Sequence, residues 1–316
     1  MGGFLVFYFR RLVMREKIAA RAQFLTSIRQ FFAQKNVLEV DTALLSPAGV
    51  TDINLRSLAV EDLGYLITSP EYAMKALLAD GGGDIYQLSH VFRGDENGRK
   101  HRREFTLLEW YRLGWTHQQL IHEVSELVQT LFPKTEKFPV KISPYADLFQ
   151  EYLDLDLFSA DDALILQKCV AIVPESRQWQ LSRDGMLDLL FTHRIEPNLG
   201  ANCLQFVCEY PPSQAALARI MQNKQGHNVA ARFELYIDGI ELCNGFWELA
   251  NAKEQRHRFE LDNQERLAAG LKPMPIDEAF LSALERGLPD CAGVALGVDR
   301  LFMLAQGKNH IAEVIL

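Results

Sequence analysis

Cysteine is scarce in this chain and arranged in no chemically useful pattern. Cys169, Cys203, Cys208, Cys243 and Cys291 form no C-x-x-C pair and are odd in number. That excludes a zinc spacing and a disulfide framework, and it points to a reducing, cytoplasmic compartment. A long apolar run is also missing. The opening MGGFLVFYFRRLVMREK has a short apolar patch ending at Arg10, too short to span a bilayer and without a basic leader or a small-residue cleavage site. Nor is there an excess of positive charge. The formal net charge of -8 excludes a general electrostatic pull toward nucleic acid, although a local basic patch remains compatible with it. Gly81-Gly82-Gly83 is not followed by Lys-Ser/Thr, so it is not a phosphate loop. Repeats and low-complexity tracts are absent.

What is present is ordinary for an enzyme-sized globular chain: 316 residues, 48% hydrophobic and 23% charged, enough for a large core. A regular pattern starts near Met14, so residues 1–14 read as an N-terminal extension and Met14 as an alternative translation start. Ile18, Phe24, Leu25, Ile28, Phe31 and Phe32 follow helical spacing that should end near Asn36. VLEVDTALLSP then reads as a strand running into a proline turn. LGYLITSP and DIYQLSHVF read as strands on either side of a short helix, EYAMKALLAD. FTLLEWYRL is strand-like, and Thr116 caps an amphipathic helix, THQQLIHEVSELVQTLF. Residues 144–200 read as an acidic helical insert without obvious chemistry. Strands resume with CLQFVCEYP, ARFELYIDGIELCNGFWEL and GVALGVDRLFML, with the helix AKEQRHRFELDNQERLAAG between the last two. This order lacks a regular βαβ beat and implies an α+β fold, a mainly antiparallel sheet flanked by helices.

Charged residues fall on strand positions in four places: SPEY (Glu71), the polar loop FRGDENGRKHRREF, LEWY, and FELYIDGIELCNGFWEL. In LEWY, Glu109 and Tyr111 share a face because side chains two apart on a strand point the same way. Each acid alone reads as a solvated side chain, Arg93 alone as an ion-pair residue, and GVALG alone as a packing seam. Together, in strongly apolar surroundings, they fit one shared polar pocket better, because burying separate unpaired charges is costly.

In order, these motifs resemble the catalytic domain of class II aminoacyl-tRNA synthetases over roughly residues 15–316. FFAQKNVLEVDTALLSP is similar to their first motif, VFRGDENGRKHRREFTLLEWY to the second and GVALGVDRLFML to the third. SPEY, EFTLLEWY and ELCNGFWEL are most similar to lysyl-tRNA synthetases. The resemblance implies that Gly293, Ala295 and Gly297 let ATP lie against the backbone, with Leu242 beside it. It implies catalytic roles for Arg93, which grips the α-phosphate, and Arg300, which neutralises phosphate charge in the transition state. Phe105 would stack on adenine, with Lys100, His101 and Arg102 near the outer phosphates. Glu234 and Glu241 would hold Mg2+. The amino acid would lie among Ser69, Glu71, Glu109, Tyr111, Asn244, Glu248 and Ala295. Three carboxylates there need cationic compensation, which the two ammonium groups of lysine or a lysine isomer supply.

The sequence leaves the pattern in several places. Lysyl-tRNA synthetases carry an anticodon-binding barrel ahead of the first motif, whereas here that motif begins near residue 18 and no equivalent follows the third. That resembles the elongation factor P–lysine ligase family, truncated paralogues that join lysine or (R)-β-lysine to a lysine side chain of elongation factor P. Ala295 stands where lysyl-tRNA synthetases usually have glycine, as in that ligase family. Arg93-Gly94-Asp95 replaces Arg-Asn-Glu, so either Asp95 or Glu96 reads the adenine amino group, with Asp95 favoured by register. Arg102 and Arg103 replace Asn-Pro. The family also implies a homodimer formed through the first motif, although Phe24, Phe31 and Phe32 could equally be intramolecular core. Binding of tRNA is not expected. Two alternatives stay open here: a minimal lysyl-tRNA synthetase, and a non-catalytic paralogue that binds an amino acid and regulates a partner.

Overall fold

A computed structural model describes the backbone of residues 2–132 and 137–315, and the side chains of that span from Met14 onward. Helix α1 (Gly2–Gln34) leads into β1 (Leu38–Glu39), β2 (Leu45–Ser46), β3 (Leu58–Val60) and β4 (Gly64–Leu66). Then come α2 (Glu71–Ala79), β5 (Ile85–Phe92), β6 (Glu104–Leu113) and α3 (His117–Leu131). Strand β7 (Val140–Pro144) precedes α4 (Tyr145–Leu153), α5 (Asp162–Ile172) and α6 (Arg183–Leu190), and β8 (Leu204–Tyr210) follows them. The chain ends with β9 (Ile220–Gln222), β10 (Asn228–Ile237), β11 (Ile240–Trp247), α7 (Ala252–Ala268), α8 (Glu278–Gly287), β12 (Cys291–Gly297) and α9 (Val298–Ala305).

The main sheet runs β1-β5-β6-β12-β11-β10-β8-β7, with β9 beside β10; β2, β4 and β3 form a second, small sheet. Only the outer pairs β1–β5 and β7–β8 are parallel, so the sheet is mainly antiparallel, as composition and motif order imply. Its centre alternates strictly. One face carries Leu108, Trp110, Phe233, Leu235, Val294 and Leu296 into a core shared with Ile28 and Phe32 of α1, Leu120 and Val124 of α3, and Leu301 and Phe302 of α9. The opposite face carries one row across four strands, Glu109, Ala295, Asn244 and Glu234, each directly opposite the next. A period of two therefore puts apolar residues on the helix side and charged ones on the other. The Asp238-Gly239 turn between β10 and β11 has positive φ at both residues (49° and 66°), the backbone a tight two-residue hairpin requires.

The three motifs are tied together at one point. Arg21 of α1 pairs with Asp299 of α9 at 2.5 Å and donates to the Thr106 hydroxyl of β6 at 2.9 Å, while the Thr106 N–H donates to Asp299 at 2.8 Å. This fixes α9, and with it Arg300, against the end of β6.

Several expectations need correcting. The helical backbone begins at Gly2, ahead of the pattern that starts near Met14. VLEVDTALLSP is no single strand; it holds two two-residue strands belonging to different sheets. GVALGVDRLFML turns from strand to helix at Val298, and α8 went unread in the sequence. Residues 144–200 are the crossover between the parallel strands β7 and β8, packed as a cluster of their own around Tyr145, Phe149, Leu190 and Phe191. Phe24, Phe31 and Phe32 are buried in this chain's own core, so they are not a free interface. Among the described residues no helix is long and apolar enough to cross a membrane.

Candidate active site

A cavity of about 1470 Å³ opens on the polar face of the sheet. Its walls come from the start of α2, the loop between β5 and β6, the β10–β11 hairpin, the β12–α9 junction and the crossover helices. Arg93, Lys100, His101, Arg102, Phe105, Glu234, Glu241, Leu242, Asn244, Ala295, Gly297 and Arg300 all line it, as do Ser69 and Glu71.

At one end two guanidiniums face the cavity. Arg300 donates to the Glu241 carbonyl at 3.0 Å and lies 3.7 Å from the Glu241 carboxylate. Arg93 lies with its guanidinium 5.2 Å from the centre of the Phe105 ring and 3.8 Å from Glu96. Burial pushes Arg93 down from its usual range, against the attraction of Glu96 and Glu241. Lys100 donates to the Gly239 carbonyl at 2.9 Å, which pins the β5–β6 loop to the β10–β11 turn. The His101 imidazole lies 3.4 Å from Glu96; burial, then the Arg300 charge, lower its pKa.

Of the two acids, the structure places Glu96 and not Asp95, the choice by register, in the cavity wall. Asp95 is 70% exposed and paired outward with Arg56, whereas Glu96 lines the cavity within reach of Arg93, His101 and Arg300. The loop curls so that only the second acid turns inward.

Glu234 and Glu241 converge, but differently. Both oxygens of Glu234 are engaged, one by Arg232 and the other by the hydroxyls of Tyr210 and Tyr236, each at 2.6 Å. Glu241 opens onto the cavity, and its deep setting, then the charge of Glu234, push its carboxyl up to about 7. Two close carboxylates facing one cavity suit a hard divalent cation, whose charge would favour the ionised form of Glu241, the freer donor. Among the described residues no cluster of three or more His, Cys, Asp or Glu is poised for a metal, so any ion here needs oxygens from a ligand as well.

Behind the wall formed by Ser69 and Glu71 lies a buried carboxylate cluster whose members Glu109, Tyr111 and Glu248 are not themselves cavity walls. Glu109, 2% exposed, accepts from Ser69 Oγ at 2.5 Å and from the Tyr111 hydroxyl at 2.6 Å. Glu248, 1% exposed, follows β11. Burial, then the charge of Glu71, raises Glu109 to about 7, while burial outweighs the Lys75 charge and carries Glu248 to about 8. Between Glu71 and Glu248 stands Lys75, fully buried and 2.6 Å from a carboxylate oxygen of each. The three carboxylates were thus read as awaiting a cation from outside, yet the chain already supplies one.

The structure sets Gly293 against Tyr111 and Glu248. It is not among the cavity walls, and a Cβ there would strike the Tyr111 ring and come 2.5 Å from Glu248 Oε1. The missing side chain is the space Tyr111 fills in order to reach Glu109. Gly297, by contrast, does line the cavity, and a Cβ there would meet nothing closer than 3.7 Å.

Residues that sequence reasoning missed include Lys75, Arg232, Tyr210, Tyr236 and Phe246. Lys75 had one available signal, its i,i+4 spacing from Glu71 on a short helix.

The tRNA synthetases class II (D, K and N) family matches residues 4–316. The chain belongs to the class II tRNA synthetase family. It is 45% identical over 305 residues to the elongation factor P–(R)-β-lysine ligase of Proteus mirabilis, covering 93% of this chain and 92% of that protein. The ligase of the same name from Vibrio parahaemolyticus is 45% identical over 312 residues, 95% of this chain and 94% of the relative. That from Klebsiella pneumoniae (strain 342) is 46% identical over 305 residues, with 93% and 92% covered.

Proposed function

We propose that the protein is an ATP-dependent, AMP-forming ligase that activates lysine or (R)-β-lysine and joins it to a lysine side chain of elongation factor P. The observation that carries this reading is the pairing of two guanidiniums in one cavity with a deep carboxylate cluster, Glu109 and Glu248, directly behind the cavity's Ser69 and Glu71 wall. The first suits a nucleoside triphosphate and the second a doubly cationic amino acid, and the names of the relatives match that combination.

In the first half-reaction a carboxylate oxygen of the amino acid attacks the α-phosphorus of ATP, the bond to the bridging oxygen breaks and pyrophosphate departs. Arg93 holds the α-phosphate next to the attacking oxygen, and Arg300 balances the charge that builds on the leaving group. Phe105 offers its face to adenine and Glu96 accepts from the adenine amino group. Lys100, His101 and Arg102 stand near the outer phosphates, with Leu242 and Gly297 as backbone walls. Glu71, Glu109 and Glu248 take the two ammonium groups; Tyr111 and Ser69 fix Glu109, and Asn244 and Ala295 border the substrate. In the second half-reaction the acceptor amine attacks the carbonyl carbon, AMP leaves and an amide forms as the amine loses a proton. No protein nucleophile is needed, because positioning and charge stabilisation suffice.

Mg2+ would be held by Glu241, supported by Glu234, and would neutralise phosphate charge. We take residues 15–316 as one catalytic domain, with 1–14 an extension and 144–200 a helical passage beside the site. The protein acts as a cytoplasmic homodimer, for which Leu38 of the first motif, 63% exposed, and the partly exposed Leu44 and Leu45 offer apolar surface. Transfer RNA is not its acceptor.

Pyrophosphate exchange tests the first step: with ATP and Mg2+, lysine or β-lysine should support exchange and norleucine, which lacks the second ammonium, should not. Equal exchange with norleucine would sink the pocket assignment.

A further inference from the structure

We propose that Lys75 is the built-in counter-ion of the amino-acid pocket, a positioning residue that sets the pocket's charge to match a doubly cationic substrate. This rests on the substrate reading above.

The placement is specific. Lys75 lies on the second turn of α2, a helix whose first residue is Glu71, so the i,i+4 spacing folds its side chain back over Glu71. Its ammonium then meets Glu248, which arrives from the end of β11, and its far side faces the Phe280 ring of α8 at 5.9 Å. The titratable groups around it are Glu71 and Tyr72 on its own helix, Glu109 and Tyr111 on β6, Glu248 after β11, and Cys291 on β12. Among the described residues no other cation pairs with the carboxylates of Glu71, Glu109 or Glu248; Arg219 donates to the Glu248 carbonyl at 2.9 Å, and Arg93 stands within electrostatic reach of Glu109.

With Lys75 in place, three carboxylates and one ammonium leave two negative charges, the number a diammonium substrate neutralises. Without it the occupied pocket would retain one uncompensated buried carboxylate, which low dielectric does not tolerate; a proton would be taken up instead. Although burial alone would discharge Lys75, Glu248 and then Glu71 hold it in the cationic form. Its own partners therefore keep the counter-ion charged whether or not substrate is present.

The test is the pH profile of the amino-acid KM in pyrophosphate exchange, between pH 7 and 8.5, at saturating ATP and Mg2+. In the wild-type protein the occupied pocket is fully ionised, so KM falls or levels as pH rises. In Lys75→Met the free pocket has lost its counter-ion and holds its protons to higher pH than the occupied one, so KM is still falling at pH 8.5, by up to tenfold per pH unit for one linked proton, where the wild type has levelled. The double variant Lys75→Met/Glu248→Gln removes one charge of each sign and should return to the wild-type slope, whatever its absolute KM. A Lys75→Met profile parallel to wild type overturns the inference. If the single variant does not fold, the double variant alone decides: a KM there that is still falling steeply at pH 8.5 overturns the proposal, and a wild-type slope upholds it. Wild-type protein that exchanges pyrophosphate with no diamino acid overturns the substrate reading itself, a result distinct from a flat response to Lys75.

Discussion

Gly293→Ala separates two accounts of the small residues on β12. If glycine is there to admit ATP, the added methyl group obstructs the nucleotide. If it is there to admit Tyr111, as the contacts indicate, the methyl group strikes the phenol ring and the Glu248 carboxylate. Both neighbours are buried, so neither swings clear at low cost. Overpacking of this kind costs about 1–3 kcal/mol, which lowers the melting temperature by roughly 1.5–5 °C in a chain of this length. Displacing the ring also strains the Tyr111–Glu109 hydrogen bond of 2.6 Å. A hydrogen bond to a charged group contributes about 1.5–3 kcal/mol, so the amino-acid KM should rise on the order of 10- to 100-fold. The ATP KM should stay within about twofold. Pyrophosphate exchange with each substrate varied in turn, alongside a thermal melt, reads all three quantities. A selective rise in the ATP KM with an unchanged amino-acid KM would refute this argument and restore the nucleotide reading of Gly293.

Further outcomes can be checked together. Glu96→Gln should raise the ATP KM about tenfold while Asp95→Asn leaves it nearly unchanged, since only Glu96 faces the cavity; the reverse order would reinstate Asp95. Arg300→Ala should lower the exchange rate constant on the order of 10²–10³-fold with amino-acid binding by calorimetry intact, and a loss of amino-acid affinity instead would contradict its phosphate role. Glu109 and Glu248 are raised to about 7 and about 8 from an ordinary value of 4.5, so their contribution to stability is complete below about 4.5 and is lost as pH rises through 7 to 8. The ligand-free melting temperature should therefore fall across that window, and lysine should offset the fall; a ligand-free protein most stable at pH 8 would count against it. Ala295→Gly should shift the preference between lysine and β-lysine, because Ala295 lies between Glu109 and Asn244 on the cavity face; an unchanged ratio of kcat/KM values removes it as a selector. Sedimentation at micromolar concentration should give twice the chain mass, and a monomer there rejects the dimer.

Where the sequence was legible, local chemistry and tertiary context agreed. Thr116 reads as a cap because a threonine just ahead of an amphipathic run suits an N-cap, and the structure adds a bond from the Thr116 N–H to Gln119 at 2.9 Å. Glu109 and Tyr111 share a face because β6 keeps its period, and the polar row of the sheet could be anticipated from that alternation.

The failures came where distance in sequence hid proximity in space. Lys75 looks like a surface lysine on a short helix until Glu248 arrives beside it, 173 positions along the chain. Nothing near Gly293 announces that Tyr111 needs its space. Asp95 and Glu96 are neighbours with the same charge, and only the curl of the loop decides which one turns inward. Val298 could start a helix or extend a strand by its own propensity; the Thr106–Asp299 and Arg21–Asp299 contacts favour the helix. Residues 37–47 have strand composition throughout, yet their halves are drawn to different sheets.

The measurement closest to the central claim is transfer of labelled β-lysine or lysine, with ATP and Mg2+, to acceptors in an extract of the protein's own cells. The product is then divided between nuclease and protease. Label released only by protease, on a protein that mass spectrometry identifies as elongation factor P carrying the added residue on a lysine, is the predicted result. Label released by nuclease would contradict the account and make the protein a tRNA synthetase.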